Sequence, residues 1–101
     1  MDARRFRRLP RVEVLGREVA IARGVRARLL GLALLPRSRA GPGLLIPGCS
    51  SVHTFGMRFA LDIYFLDRSG CLLRVERAVP PCRIVACAGA SAVLELPASK
   101  D

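Results

Sequence analysis

The sequence predicts a mainly β domain, borderline with the α+β class, in which an antiparallel, barrel-like curled sheet is accompanied by one short helix near Val25–Leu35. Two observations support this fold class. Short segments of alternating apolar and polar residues recur along the chain, and turns containing Gly and Pro separate them, as in all-β proteins. At 101 residues the chain is long enough for one small core. We therefore expect a basic arm over residues 1–11 and a single globular domain over residues 12–101.

The first predicted element is a hairpin around Gly16-Arg17. A two-residue loop with Gly in its first position suits a type II′ turn. In that register Val14 faces Val19 and Val12 faces Ile21, which makes one face of the hairpin wholly β-branched.

The run from Val25 to Leu35 predicts the short helix, which Pro36 stops. Its arginines cluster at the start, and its apolar residues are too numerous for a single stripe. Because the chain offers few other helices to cover a sheet, we expect this helix to be buried against it.

A second hairpin is predicted in the centre of the chain. Leu61, Ile63 and Phe65 fall on one face of its first strand, and Asp62 falls on the other. Residues 67–70 have Asp and Gly in positions that a tight turn favours. The remaining predicted strands cover residues 44–46, 71–76, 84–88 and 92–96.

The formal net charge of +9 raises the question of nucleic-acid binding, because basic segments gain affinity by releasing counterions from phosphates. Within the basic arm, Phe6 is the only aromatic residue, so the repeated stacking platform of single-strand binders is missing. We do not expect nucleic acid as a partner, and keep binding by the basic arm as an alternative. Its arginines are Arg4, Arg5, Arg7, Arg8 and Arg11.

The location that the sequence predicts is cytoplasmic. No apolar run approaches the roughly 20 residues that span a bilayer. The basic N-terminus resembles a secretory leader in charge only, since Glu13, Arg17 and Glu18 interrupt the segment that follows.

The chain has four cysteines, which in a reducing compartment are expected to be thiols. Cys49 and His53 form one closely spaced pair, and Cys82 and Cys87 form another. These four residues supply a set of soft zinc ligands, which we keep as an alternative. Packing explains them more simply, and no metal or other cofactor is expected.

The block from Cys49 to Gly70, CSSVHTFGMRFALDIYFLDRSG, holds the only His and the only Tyr of the chain. Its order of residues resembles the signature of the domain of unknown function 192 family, a set of small bacterial and archaeal proteins. Further matches are Arg28-x-x-Gly31-Leu32, residues 43–47 and residues 93–97. The resemblance implies a mainly β fold and no established activity. Family members continue with a final strand after the last match, so its absence would leave strand 92–96 short of a neighbour.

Candidate functional residues lie at the start of the central hairpin. If residues 51–55 are extended, His53 projects on one face, and a bend at Met57-Arg58 brings Asp62 within reach. We favour a non-catalytic binding or accessory module with a shallow polar groove for a small ligand or a partner peptide. The predicted groove residues are His53, Thr54, Met57, Arg58 and Asp62.

Two other interpretations of this cluster stay open. A hydrolase-like or thiol-dependent enzyme would use Cys49, Ser50 or Ser51 as nucleophile with His53 as base. A purely structural role is also available, because Asp62 can pair with Arg58 or accept from exposed amides at the bend. The predicted partner is an unknown small ligand or protein, and the predicted state is a monomer or weak dimer.

Overall fold

The computed structural model describes residues 11–22 and 43–98. The predicted helix near Val25–Leu35 and residues 1–10 of the basic arm lie outside the described residues. The described part is built from strands, which confirms the mainly β prediction. They are β1 (Arg11–Val14), β2 (Arg17–Ile21), β3 (Leu44–Pro47), β4 (Ser51–His53), β5 (Leu61–Leu66), β6 (Leu72–Val79), β7 (Ile84–Ala86) and β8 (Ala92–Pro97).

Six strands form one sheet in the order β1-β2-β3-β8-β5-β6, and β4 and β7 form a second, two-stranded sheet. Neighbouring strands pair antiparallel except β2 and β3, which are parallel. Within the described residues β1 and β6 are the edges of the large sheet, so this sheet is not closed. Strand β8 lies between β3 and β5, so it is not short of a neighbour as the family comparison had led us to expect.

The first hairpin forms with a different turn from the predicted one. Val12 pairs with Val19 and Val14 with Arg17, so the loop is Leu15-Gly16. Both loop residues have positive φ, +51° and +81°, as a type I′ turn requires. The prediction of Gly16-Arg17 was therefore wrong by one residue. Because the register moved by an even number of positions, the β-branched residues still share one face.

The central hairpin follows the prediction closely. The Asp67 side chain closes its turn, with Oδ1 accepting hydrogen bonds from the N–H of Ser69 at 2.8 Å and of Cys71 at 2.9 Å. Gly70 has φ +85°, a conformation that favours glycine. Leu61, Ile63 and Phe65 are all fully buried, as their shared strand face predicts.

The large sheet has a hydrophobic cluster on each face. We call the face that packs against the small sheet the core face, and the opposite one the far face. Val52 of β4 is buried on the core face, and Val85 of β7 packs beside it. Alternation along the strands sends successive residues to opposite faces. The core face also buries Leu44, Ile46, Leu61, Ile63, Phe65 and Val93, while the far face buries Val19, Leu94 and Leu96.

Gly43, just before β3, illustrates how closely the central strands approach. It has φ +123°, and a Cβ there would collide with the Leu96 side chain and lie 2.9 Å from the Glu95 carbonyl oxygen. Only glycine fits this position without a shift of the neighbouring strand. Within the described residues, no helix is long and apolar enough to cross a membrane.

Candidate functional site

Thr54 joins the two strands of the small sheet. It is fully buried, and its hydroxyl donates to the Pro80 carbonyl at 2.8 Å and accepts from the Arg83 N–H at 2.7 Å. Its backbone N–H donates to the Arg83 carbonyl at 2.8 Å, and its carbonyl accepts from Cys82 at 3.1 Å. The hydroxyl therefore has both a donor and an acceptor partner. From its buried position Thr54 therefore fixes residues 80–83, the segment that leads into β7.

His53 lies on the opposite, exposed side of the same strand. Its ring stacks on Phe55 with centroids 5.3 Å apart, and Nδ1 accepts a hydrogen bond from the Phe55 N–H at 3.2 Å. A neutral ring with Nδ1 as acceptor carries its proton on Nε2. Within the described residues Nε2 has no hydrogen-bond partner, so it faces outward as a donor.

Ile84 of β7 lies directly opposite His53 in the antiparallel register. It is 71% exposed and Phe55 is 48% exposed, although both are large apolar side chains. We call His53, Phe55 and Ile84 the small-sheet patch. Residues directly opposite each other in a strand pair share a face, so the aromatic stack and the aliphatic side chain form one surface.

Two other predicted groove residues, Met57 and Arg58, lie near this patch and differ in burial. Met57 is buried in the core-face cluster, and its N–H donates to the Thr54 carbonyl at 3.2 Å. Arg58 is exposed. Within the described residues it makes no hydrogen bond or ion pair. The bend therefore buries the sulfur side chain and leaves the guanidinium in solvent.

Asp62 is held on the far face of the large sheet by a β-bulge. Arg77 and Ala78 of β6 together oppose this one residue, and Ala78 has φ +53°. The Ala78 N–H donates to Asp62 Oδ1 at 2.8 Å. Asp62 Oδ2 lies 3.6 Å from Arg77 Nη1, and the Arg77 guanidinium carbon lies 5.9 Å from the Tyr64 ring centroid. We call this arrangement the Asp62 clamp.

The structure does not bring His53 and Asp62 together. The small sheet covers the core face, and His53 points away from that sheet into solvent. Asp62 alternates with Leu61 and Ile63, which point to the core face, so its carboxylate lies on the far face. The two side chains are on opposite sides of the large sheet, and the arginine that pairs with Asp62 is Arg77 instead of Arg58.

The candidate thiol and the candidate base are each hydrogen-bonded to the backbone. The Cys49 thiol donates to the Ser51 carbonyl at 2.9 Å. His53 Nδ1 accepts from Phe55, as described above. Among the described residues no hydrogen bond joins His53 to the thiol of Cys49 or to the hydroxyl of Ser50 or Ser51. The arrangement lacks the nucleophile–base contact that covalent catalysis needs.

The four proposed zinc ligands do not assemble. Cys49 and Cys87 are partly buried, Cys82 is exposed, and all are free thiols. Nowhere in residues 11–22 and 43–98 do three or more His, Cys, Asp or Glu side chains meet in a way that could hold a metal ion. The zinc alternative therefore has no support in this part of the chain.

The signature block thus lies on both sheets, with the hairpin strand in the large sheet and the His-Thr strand in the small one. A family model matches residues 11–100 of this sequence, and its family is DUF192, described as an uncharacterized ACR. The chain belongs to the DUF192 family. The resemblance seen in the sequence is therefore confirmed.

The DUF192 fold is also found in solved structures. The chain is similar to a protein from Sinorhizobium meliloti 1021, provisionally described as a transcription regulator, with TM-score 0.70 and 22% identity over 87% of this chain and 78% of that chain. It is similar to a protein of unknown function from Novosphingobium aromaticivorans DSM 12444, with TM-score 0.65 and 17% identity over 98% of this chain and 87% of that one. These similarities show a shared fold. No curated protein matches the chain.

Sequence reasoning missed several residues of this DUF192 domain that the structure brings forward. Ile84 was placed only in the predicted strand 84–88, although alternation with Val85 could have put it on the exposed face. Arg77 lay beyond the predicted end of its strand, and nothing in the sequence marked the bulge. Glu95 is a carboxylate buried to 3% exposure in β8, between Leu44 and Ile63 in register, and it takes part in a polar interaction.

Proposed function

We propose that the protein is a non-catalytic binding module whose binding surface is the small-sheet patch. The occupant is an extended, acidic and partly apolar segment of a partner protein. The observation that carries the proposal is the 71% exposure of Ile84 beside a half-exposed aromatic stack. Single exposed hydrophobic residues are ordinary, whereas adjacent ones rimmed by polar groups mark interaction sites.

The hydrogen-bond pattern of the small sheet supports an extended occupant. The Thr54 N–H donates to the Arg83 carbonyl, and the Cys87 N–H donates to the Ser50 carbonyl, so by alternation His53 and Ile84 are a non-hydrogen-bonded pair. The backbone N–H and C=O of these two residues therefore point away from each other, toward the outer edges. Within the described residues no third strand joins this sheet. A peptide can add backbone hydrogen bonds at such an edge and place alternate side chains on the patch.

Charge supports an acidic occupant. Arg83 precedes Ile84 in the chain, Arg58 follows Phe55 by three positions, and both arginines are exposed. The whole chain carries a formal net charge of +9. Complementary charge accelerates encounter and selects among partners more than it adds to affinity.

This proposal keeps part of the groove predicted from the sequence. His53 and Arg58 belong to the exposed surface, while Thr54 and Met57 support it from beneath. Asp62 lies on the other side of the large sheet and contributes to stability instead.

The experiment is a selection of phage-displayed random dodecapeptides on the wild-type protein, followed by affinity measurement of the enriched synthetic peptides. We expect sequences that combine aromatic or aliphatic residues with Asp or Glu. Ile84→Thr keeps a β-branched residue in the strand and removes the apolar side chain, so it should weaken binding about tenfold or more, as loss of an interface anchor does.

The matched control is Leu15→Asn at the first hairpin turn, where Leu15 is 49% exposed and has φ +51°, a conformation that Asn tolerates. This variant should bind the enriched peptides as the wild type does. The proposal fails if no acidic, apolar sequence is enriched, or if the enriched peptides bind Ile84→Thr as tightly as the wild type.

Nucleic-acid binding by the basic arm is a second candidate function. The clustered arginines of the arm and the net charge of +9 favour it. The similar Sinorhizobium meliloti protein is provisionally described as a transcription regulator. Deletion of the arm tests this candidate independently of the small-sheet patch.

A further inference from the structure

Strand β6 is an exposed edge of the large sheet. It is eight residues long, and within the described residues it borders only β5. Leu72 and Leu73 are each 46% exposed, and the rest of the strand is exposed or partly buried up to Val79, which is buried. An edge of this length presents backbone N–H and C=O groups that another strand can use.

The side chains of β6 are arranged symmetrically about Val75. Arg74 precedes it and Glu76 follows it, and these two side chains form an ion pair in the monomer. In an antiparallel pairing of two copies centred on Val75, Arg74 of each copy faces the partner's Glu76. Over this segment the edge is therefore complementary to itself in charge.

The irregularities of β6 are symmetric about the same residue. The pairing of β6 with β5 is regular over Arg74–Glu76, and register shifts occur on both sides of this segment. Bulges twist an edge strand and limit how far it can pair. The two bulges therefore limit pairing with a second strand to Arg74–Glu76, the segment on which the charges are complementary.

We propose that β6 pairs antiparallel with β6 of a second copy of this chain, in a register centred on Val75. Such a contact is isologous, and it joins the two large sheets into one across a two-fold axis. A single strand pair buries less than the roughly 1,200 Å² of a stable interface, so the dimer is weak and reversible. The net charge of +9 on each copy opposes it and is screened by salt.

The test is sedimentation equilibrium of the full chain from about 10 µM to about 1 mM in about 0.15 M salt. We expect a reversible monomer–dimer equilibrium for the wild type. Arg74→Glu places like charges opposite each other twice, so it should weaken the dimer about tenfold or more. It also lowers the net charge, which by itself would favour association. The double exchange Arg74→Glu with Glu76→Arg restores both pairs and should return the dissociation constant to within about threefold of the wild type.

Arg68→Glu is the matched control, because Arg68 lies in the exposed hairpin turn and its reversal changes the net charge equally. It should not weaken the dimer. As a second measurement, Val75→Cys in a background with Cys71→Ser and Cys82→Ser should form an intermolecular disulfide on mild oxidation, whereas Arg68→Cys in that background should not. A monomer throughout the concentration range, a dimer that Arg74→Glu leaves unchanged, or a double exchange that fails to restore pairing would each overturn the proposal.

Discussion

The Asp62 clamp gives the most specific prediction about stability. Asp62→Ala removes the acceptor of the Ala78 N–H, a bond of 2.8 Å, from a site where the Asp62 side chain is only 12% exposed. A hydrogen bond to a charged group contributes about 1.5–3 kcal/mol, and an orphaned buried donor costs about 1–3 kcal/mol. Because Ala78 itself is exposed, water can partly replace the lost acceptor. We expect a loss of about 1–2 kcal/mol in the free energy of unfolding.

The ion pair contributes little to this value. Asp62 Oδ2 lies 3.6 Å from Arg77 Nη1, and the Arg77 side chain is 69% exposed. Exposed pairs contribute about 0–1 kcal/mol, so Arg77→Ala should cost well under 1 kcal/mol. Asp62→Asn keeps an acceptor oxygen, so its loss in the free energy of unfolding should lie between those of Asp62→Ala and Arg77→Ala. The order Asp62→Ala, then Asp62→Asn, then Arg77→Ala would show that the hydrogen bond to the bulge dominates.

The assay is urea unfolding monitored by circular dichroism, with thermal melts as a second measure. For a domain of this size each kcal/mol corresponds to roughly 4–8 °C in Tm. The control is Glu76→Ala, which removes a half-exposed carboxylate paired with Arg74 and should cost under about 1 kcal/mol. Equal and negligible losses for Asp62→Ala and Glu76→Ala would refute the reasoning, and would show that the bulge holds its conformation without the carboxylate.

Four further predictions concern other parts of the chain. Thr54→Val should destabilise by about 1–2 kcal/mol in urea melts, because it removes the hydroxyl that bonds the Arg83 N–H and the Pro80 carbonyl, which water at these exposed residues can only partly replace; a loss below about 0.5 kcal/mol would contradict the role of its hydroxyl. Glu13 and Glu18 are exposed and directly opposite in the first hairpin, so Glu18→Lys should raise Tm by replacing like charges with an opposite pair worth a few tenths of a kcal/mol. In a thiol titration at neutral pH we expect Cys49 to react slowly. A rapid reaction would contradict this and favour the thiol-enzyme alternative. Deletion of residues 1–9 should change the free energy of unfolding by no more than about 0.5 kcal/mol and abolish salt-sensitive retention on DNA, and unfolding of the truncated protein would show that the arm belongs to the core.

The strands could be predicted from the sequence because alternation marks them directly. The central hairpin followed from Leu61, Ile63 and Phe65 on one face and a turn that begins at Asp67. The first turn could not be placed, because it puts Leu15 at φ +51°, where sequence reasoning expects Gly or Asn. The parallel pairing of β2 with β3 brings together residues far apart in the sequence, and alternation carries no information about such partners.

The candidate site was predicted only in part for a similar reason. Alternation correctly put Asp62 on the face opposite Leu61, which is a local property of the strand. Its partners depend on a bulge at Ala78, and alanine gives no sign that it will adopt a positive φ. The expected contact with His53 assumed that the bend keeps both residues on one surface. The chain instead enters a second sheet at β4 and returns to the first at β5, which separates them.

The position of β8 has a consequence for how the protein is made. In the large sheet β1, β2 and β3 form one group and β5 and β6 another, and β8 is the strand that connects them. Because β8 follows the other seven strands of the described residues, a ribosome that has synthesised the chain up to β7 has produced two pieces of sheet that β8 has not yet joined. The fully buried Val93 and Leu94 close that gap when they emerge. Completion of the large sheet therefore waits for the synthesis of β8, and until then the facing edges of β3 and β5 are open to other chains.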